Sequence, residues 1–261
     1  MTVIDLRDVR DESSVRPPVG LVFGGGGAFG IAWHVAVIDA LRDHGFALDN
    51  APALGTSAGS WACAALRLGL GFDEFSAIGT LNVPDRSPGL LAGIARDLVG
   101  DARAEGVRIS AVEVPRMRRR LLDGAHHPLA DLMAASSAVP GLFASHPIGG
   151  VAHVDGGVRS MASADHSVPV DLLVASLPIA GSLFGPVGRI MESTSRAALS
   201  RWKSRTGGST LVLRPGKRLA ALIGLRPGAM FDIELAKRVY PMAYDQVSER
   251  LEARRPELAI A

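Results

Sequence analysis

Short apolar runs alternate along the chain with amphipathic stretches. Val19–Phe23 is largely apolar and stands between Pro18 and four consecutive glycines. That is the pattern of a strand buried on both faces. Ile31, Val35, Ile38 and Leu41 then recur at helical spacing, which predicts a helix over 31–44 with Gly45 suited to its C-cap. The same reading gives a strand at 51–54, a helix over Ala58–Leu68, and helical patches at 72–78 and Leu90–Val99. Gly79, Pro84, Pro88 and Gly89 break the stretch around those patches. It reads equally as a lid over a site and as helices packed on a sheet. Beyond it the pattern predicts a strand at 107–114 and a helix at 128–137 with proline in its first turn. Strands at 151–154, 171–177 and 210–213 follow, with helices at 188–203 and 233–251. Strand–helix alternation of this kind predicts an α/β fold with a mainly parallel central sheet between two helical layers.

The first 18 residues are charged and carry at most a short edge strand at 3–6, so they read as a leader to a single domain over 19–261. They have no apolar core of the kind a cleaved secretion signal needs. No run approaches the roughly 18 apolar residues of a membrane span, so any contact with a membrane is expected at its surface. The expectation is a cytoplasmic protein, peripheral to the membrane where it meets one. Hydrophobic residues make up 48% of the chain and charged residues 21%, which excludes a disordered protein. A net charge of +2 gives no case for nucleic acid. The single cysteine, Cys63, sits inside a predicted helix and reads as a core residue. Arg116, Arg118, Arg119 and Arg120 read first as a solvated face and second as a site for anionic headgroups. Oligomeric state is not legible.

Two motifs carry chemistry. The first is the glycine run Gly24-Gly25-Gly26-Gly27 between a strand and a helix. The first N–H groups of a helix have no internal partner, and glycine lets a ligand approach the backbone. The second is Gly55-Thr56-Ser57-Ala58-Gly59, the G-x-S-x-G elbow in which a tight strand-to-helix turn exposes a serine hydroxyl. Ser57 then needs a base. Seven histidines are available, but none stands near the C-terminus, where an α/β-hydrolase would place its own. His34 reads as a satisfied, half-buried residue. His126 and His127 are adjacent and lack partners for a metal. Asp155, followed by Gly156 and Gly157 at the end of a predicted strand, is the other candidate base. A free aspartate is a weak base at a pKa of about 3.9, which burial would raise. No metal or cofactor is required.

Four blocks in order resemble the patatin-like phospholipases. They are Gly24 to Gly30, Gly55 to Gly59, Ala134-Ala135-Ser136-Ser137-Ala138-Val139-Pro140-Gly141-Leu142-Phe143, and Asp155-Gly156-Gly157. The resemblance runs from about Val19 to Leu177. It implies a patatin-type α/β/α fold and a lipid acyl hydrolase acting on carboxylic esters. Ser57 matches the nucleophile, Asp155 the base, and Gly25, Gly26 and Gly27 the oxyanion loop. The serine block matches a structural segment near the site. Phe29 stands where the family's glycine loop usually carries arginine, and Val158-Arg159-Ser160-Met161 replaces an Asn-x-Pro common after the aspartate.

Three other readings compete. Gly25, Gly27 and Gly30 fit the dinucleotide fingerprint G-x-G-x-x-G, with Asp49 as its ribose acid. A patatin fold without activity would be a lipid-binding or scaffold module. A conventional serine esterase would use His153 or His166.

Overall fold

The computed structural model describes residues 16–223 and 227–254, so the expected strand at 3–6 lies outside the described residues. In chain order the strands are β1 (Val19–Phe23), β2 (Ala53–Thr56), β3 (Val107–Glu113), β4 (Arg118–Asp123), β5 (His146–Ile148), β6 (Val151–Asp155), β7 (Leu172–Ser176) and β8 (Ser209–Leu213). The helices are α1 (Gly27–Asp43), α2 (Ala58–Leu68), α3 (Phe72–Ser76), α4 (Leu90–Val99), α5 (Leu129–Ser137), α6 (Gly185–Thr206), α7 (Lys217–Ile223) and α8 (Ile233–Arg254).

They form one sheet in the order β5-β6-β3-β2-β1-β7-β8, with β4 also paired to β3. The run β3-β2-β1-β7-β8 is parallel, while β4, β5 and β6 are antiparallel additions. Alternation along the strands divides the core. Leu21 and Phe23 pack with α1, α2, α5 and α8 on one face. Val22, Leu54, Leu173 and Ala175 pack with Ala198, Leu199 and Trp202 of α6 on the other. Helices on both faces of a largely parallel sheet make the expected three layers.

Several elements differ from the sequence pattern. α1 begins four residues earlier than expected, directly at Gly27. A strand not expected from the sequence runs through the arginine cluster: Arg118, Arg119 and Arg120 open β4, paired with Glu113, Val112 and Ala111. Residues 146–148 form β5, joined to β6 through Gly149 and Gly150, whose φ values of 58° and 77° suit a tight hairpin. α7 was not expected.

The carboxyl ends of the parallel strands are where this architecture opens crevices. β3 has a particular role there. One of its edges is taken by β4. The opposite edge is shared, with β2 pairing along Val107 to Ser110 and β6 along Ala111 to Glu113. β2 therefore stops where β6 begins.

Candidate active site

Ser57 follows β2 directly and holds φ 53° and ψ −121°, a conformation that a residue with a side chain adopts only under constraint. The constraint is the flanking packing. A Cβ on Gly55 would stand 2.3 Å from the Gly59 carbonyl oxygen, and one on Gly59 would stand 2.1 Å from that of Phe23. The Ser57 N–H donates to Ser136 Oγ at 2.8 Å, and the Ser136 hydroxyl donates to the Ser110 carbonyl at 2.7 Å. The Ser57 carbonyl accepts from the Ser60 N–H and hydroxyl at 2.8 and 2.6 Å. The peptide groups on both sides of the nucleophile candidate are thus held.

Asp155 ends β6 opposite Ala111 and is only 5% exposed. Its Oδ1 accepts the Gly157 N–H at 2.6 Å. Burial pushes its pKa up to about 6, against the opposing pull of the neighbouring Ser57 side chain and the Gly157 N–H. Gly156 is needed because a Cβ there would lie 2.3 Å from the Ser110 carbonyl oxygen.

The glycine loop closes the site. The Gly25 N–H donates to the Met161 carbonyl at 3.1 Å. That leaves the Gly26 and Gly27 N–H groups at the open start of α1. Gly27 sits at φ 60°, where glycine is favoured. His34 holds the other side of the loop. The Trp33 indole N–H donates to Ser176 Oγ at 3.0 Å, and Ser176 Oγ lies 2.7 Å from His34 Nδ1. His34 Nε2 lies 2.7 Å from the Gly24 carbonyl. The network assigns the tautomer: Ser176 donates to Nδ1 and Nε2–H donates to Gly24. Burial lowers the His34 pKa to about 4, so the ring is neutral. It is satisfied, as expected, but fully rather than half buried. Phe29 is also fully buried, with its ring 6.2 Å edge-on from Phe184.

Ser57, Asp155, Gly26 and Gly27 line a cavity of about 410 Å³. Its other walls are mostly apolar, among them Trp61 of α2, Phe72 and Phe75 of α3, Leu91 and Ile94 of α4, and Phe231. The segment between α2 and β3 therefore walls the cavity, with α3 packed on α1 and α8 and α4 packed on α5.

No histidine lines this cavity. His153 Nδ1 bonds the Val151 carbonyl at 2.8 Å, and His166 lies beside Asp165 at 3.8 Å. Asp49 is exposed in the turn before β2 rather than at a strand end, and its carbonyl accepts from Arg67. Neither the histidine esterase nor the dinucleotide arrangement is assembled. Cys63 is buried, and desolvation raises its thiol pKa. Among the described residues no group of three or more His, Cys, Asp or Glu could hold a metal, and no helix is long and apolar enough to cross a membrane. The sequence reading missed Ser110, Ser136 and Ser176 as supports. Only Ser136 carried a signal, through its place in the third block.

A family model described as Patatin-like phospholipase matches residues 91–173, which include Ser136 and Asp155. Uncharacterized NTE family proteins of Mycobacterium tuberculosis and Mycobacterium bovis are each 29% identical over 222 residues. Those matches cover 78% of this chain and 60% of the relatives, so the chain spans about three-fifths of their length. Among solved structures, VipD from Legionella pneumophila gives a TM-score of 0.46 at 13% identity, covering 91% of this chain and 67% of that one.

Proposed function

We propose that the chain, similar to patatin-like phospholipases over residues 91–173 and to NTE family proteins, is a lipid acyl hydrolase in which Ser57 and Asp155 form the acyl-transfer dyad. The observation that carries this reading is the placement of Ser57 beside a buried aspartate with a raised pKa, both lining one largely apolar cavity. A carboxylate with a pKa of about 6 is ionised at neutral pH and is a better proton acceptor than a free aspartate. The apolar walls fit a hydrocarbon chain, which makes a carboxylic ester of a fatty acid the substrate class.

In the reaction, the ester carbonyl sits beside Ser57 with its acyl chain along Trp61, Phe75 and Leu91. Ser57 attacks as Asp155 takes the hydroxyl proton. The N–H groups of Gly26 and Gly27 point at the developing oxyanion, and preorganised donors of this kind supply much of such a rate enhancement. Gly25 belongs to the same loop, but its N–H is engaged by Met161, so its part is to fix the loop close to Ser57. Protonated Asp155 returns the proton to the leaving alcohol. Water, deprotonated by Asp155, then cleaves the acyl-enzyme and frees Ser57.

The test is hydrolysis of p-nitrophenyl esters of graded chain length by the wild type, Ser57→Ala and Asp155→Asn, with fluorophosphonate labelling of Ser57. Turnover by the wild type that both variants lose, with circular dichroism unchanged, supports the dyad. A wild type that neither turns over nor labels overturns the hydrolase reading in favour of a lipid-binding module.

A further inference from the structure

Six large apolar side chains are exposed among the described residues: Leu68, Met117, Val151, Val158, Leu183 and Ile190. Scattered singly they would need no explanation. Their placement is not scattered. Met117 lies in the turn beyond the carboxyl end of β3, and Val151 opens β6 beyond that same end. Val158 follows Asp155 and lines the cavity. Leu183 lies past the carboxyl end of β7, and Ile190, 64% exposed, lies in the first turns of α6 beside the cavity residue Met191. Five of the six therefore sit at the end of the sheet where the cavity opens. Leu68, at the far end of α2, is the exception.

Charge on the same rim is unbalanced. Arg118, Arg159 and Arg189 are exposed. Arg159 reaches only the Met117 carbonyl, at 3.0 Å. The acids on these same elements are taken, Glu113 by Arg116 and Arg120 and Glu192 by Arg196 and Arg214, while Asp73, Glu74 and Asp232 lie on the α3 and α8 side of the cavity. Exposed apolar side chains interleaved with uncompensated arginines match a surface with anionic headgroups above hydrocarbon.

We infer that the rim carrying Met117, Leu183 and Ile190 with Arg118, Arg159 and Arg189 docks the protein on an anionic lipid bilayer, with the cavity mouth facing the membrane. The inference rests on the reading of the cavity as an acyl site. It adds where the protein sits and which lipids recruit it. An acyl chain then passes from bilayer to cavity without crossing water.

The experiment is co-sedimentation of the full chain with phosphatidylcholine vesicles, with and without added phosphatidylglycerol. The variants are Leu183→Ser with Ile190→Ser, and Arg118→Gln with Arg189→Gln. Each is also assayed on water-soluble p-nitrophenyl butyrate, which reports a folded, working site. Wild type should partition onto the anionic vesicles and lose that binding at high salt. The serine pair should weaken partitioning by about tenfold per side chain. The glutamine pair should weaken it by about fivefold per charge and cut the preference for phosphatidylglycerol by the same factor, Arg159 retaining the remainder. Soluble-ester turnover should not change. Intact turnover with no vesicle binding, with equal binding to both compositions, or with binding untouched by the variants overturns the inference and leaves the proposed function standing. So does a wild-type dimer that Ile190→Ser dissociates, since the patch then belongs to a second copy of the chain. Vesicle binding as described with no turnover overturns the function alone.

Discussion

Thr56 and Asp155 stand opposite consecutive residues of one strand, Ser110 and Ala111 of β3. The residue after Thr56 is Ser57, so the separation of the proposed nucleophile and base is set by strand register rather than by loops. Register also sets which face a side chain takes, since a slip of one residue turns it over. Asp155→Glu keeps the charge but adds a methylene to a carboxyl already held by Gly157. It should lower kcat on a soluble ester by about 100-fold, the cost of misplacing a reacting group by roughly 1 Å. Wild-type kcat in this variant would show that the dyad tolerates slack and that register is not what positions it.

Asp155 must be ionised to act as the proposed base. With Asp155 pushed up to a pKa of about 6, kcat/KM should be flat at neutral pH and fall as the pH drops through that value. At pH 5 it should be about tenfold below its plateau. A pH–rate profile on p-nitrophenyl butyrate decides this. A plateau that persists down to pH 4.5 would remove Asp155 from the role of base.

The same shift makes the dyad a cost to stability. The folded state holds the Asp155 proton more tightly than the unfolded chain, so this group's stabilising contribution is fully present below the ordinary carboxylate pKa. It is lost as pH rises through about 6. Asp155→Asn should therefore raise the denaturation midpoint at pH 8, by up to about 3 kcal/mol of stability, while removing activity. The gain should shrink toward zero by pH 4, where the wild-type carboxyl is itself protonated. Equal urea midpoints for the two proteins at pH 8 would count against the burial argument.

Much of this was legible because the signals are local. Glycines at 55 and 59 betray the elbow, since the backbone approaches there leave no room for a Cβ. The strand-to-helix context of Ser57 follows from apolar periodicity, and so do the three layers. What failed to show was non-local. Arg118, Arg119 and Arg120 form a strand because β3 offers a free edge, which no propensity in an arginine run announces. α7 and the three-residue β5 are too short for a period to declare itself. Glycines 25 to 27 look equivalent in sequence. The Gly25 N–H differs only because Met161 folds back upon it. Phe29, which replaces a charge in the family pattern, lies in the core against Phe184 and does not line the cavity.

Ser136 is the hydroxyl on which the elbow hangs. It accepts from the Ser57 N–H and donates to Ser110, all within the buried interior. Ser136→Ala leaves a buried N–H and a buried carbonyl without that partner, at a cost of about 1–3 kcal/mol for each group left unsatisfied. The strained φ of Ser57 should then relax, so kcat should fall by at least about tenfold while KM changes little. Ser136→Thr, which restores the hydroxyl, should recover most of the loss. A kcat unchanged in Ser136→Ala would show that packing around Gly55 and Gly59 holds the elbow unaided.

His34 provides the matching test on the side of the proposed oxyanion loop. Its ring carries hydrogen bonds from Trp33 through Ser176 to the Gly24 carbonyl, and so fixes the peptide from which the Gly25–Gly27 loop departs. The proton balance runs opposite to that of Asp155. Burial lowers the His34 pKa to about 4, so the unfolded chain binds the proton more readily. Stability from this group is therefore complete above the ordinary histidine pKa near 6.5 and is lost as pH falls toward 4. His34→Phe should destabilise the protein at pH 7, because Ser176 and the Gly24 carbonyl lose their partner. It should also abolish that acid-side slope, and it should lower kcat more than KM by loosening the loop. Because the slopes of His34 and Asp155 oppose each other between pH 4 and 6, the wild-type urea midpoint should change little from this pair across that window. The two single variants should instead slope in opposite senses. Parallel slopes in both would mean that neither group's burial governs the pH dependence, and the electrostatic account of the site would have to be abandoned.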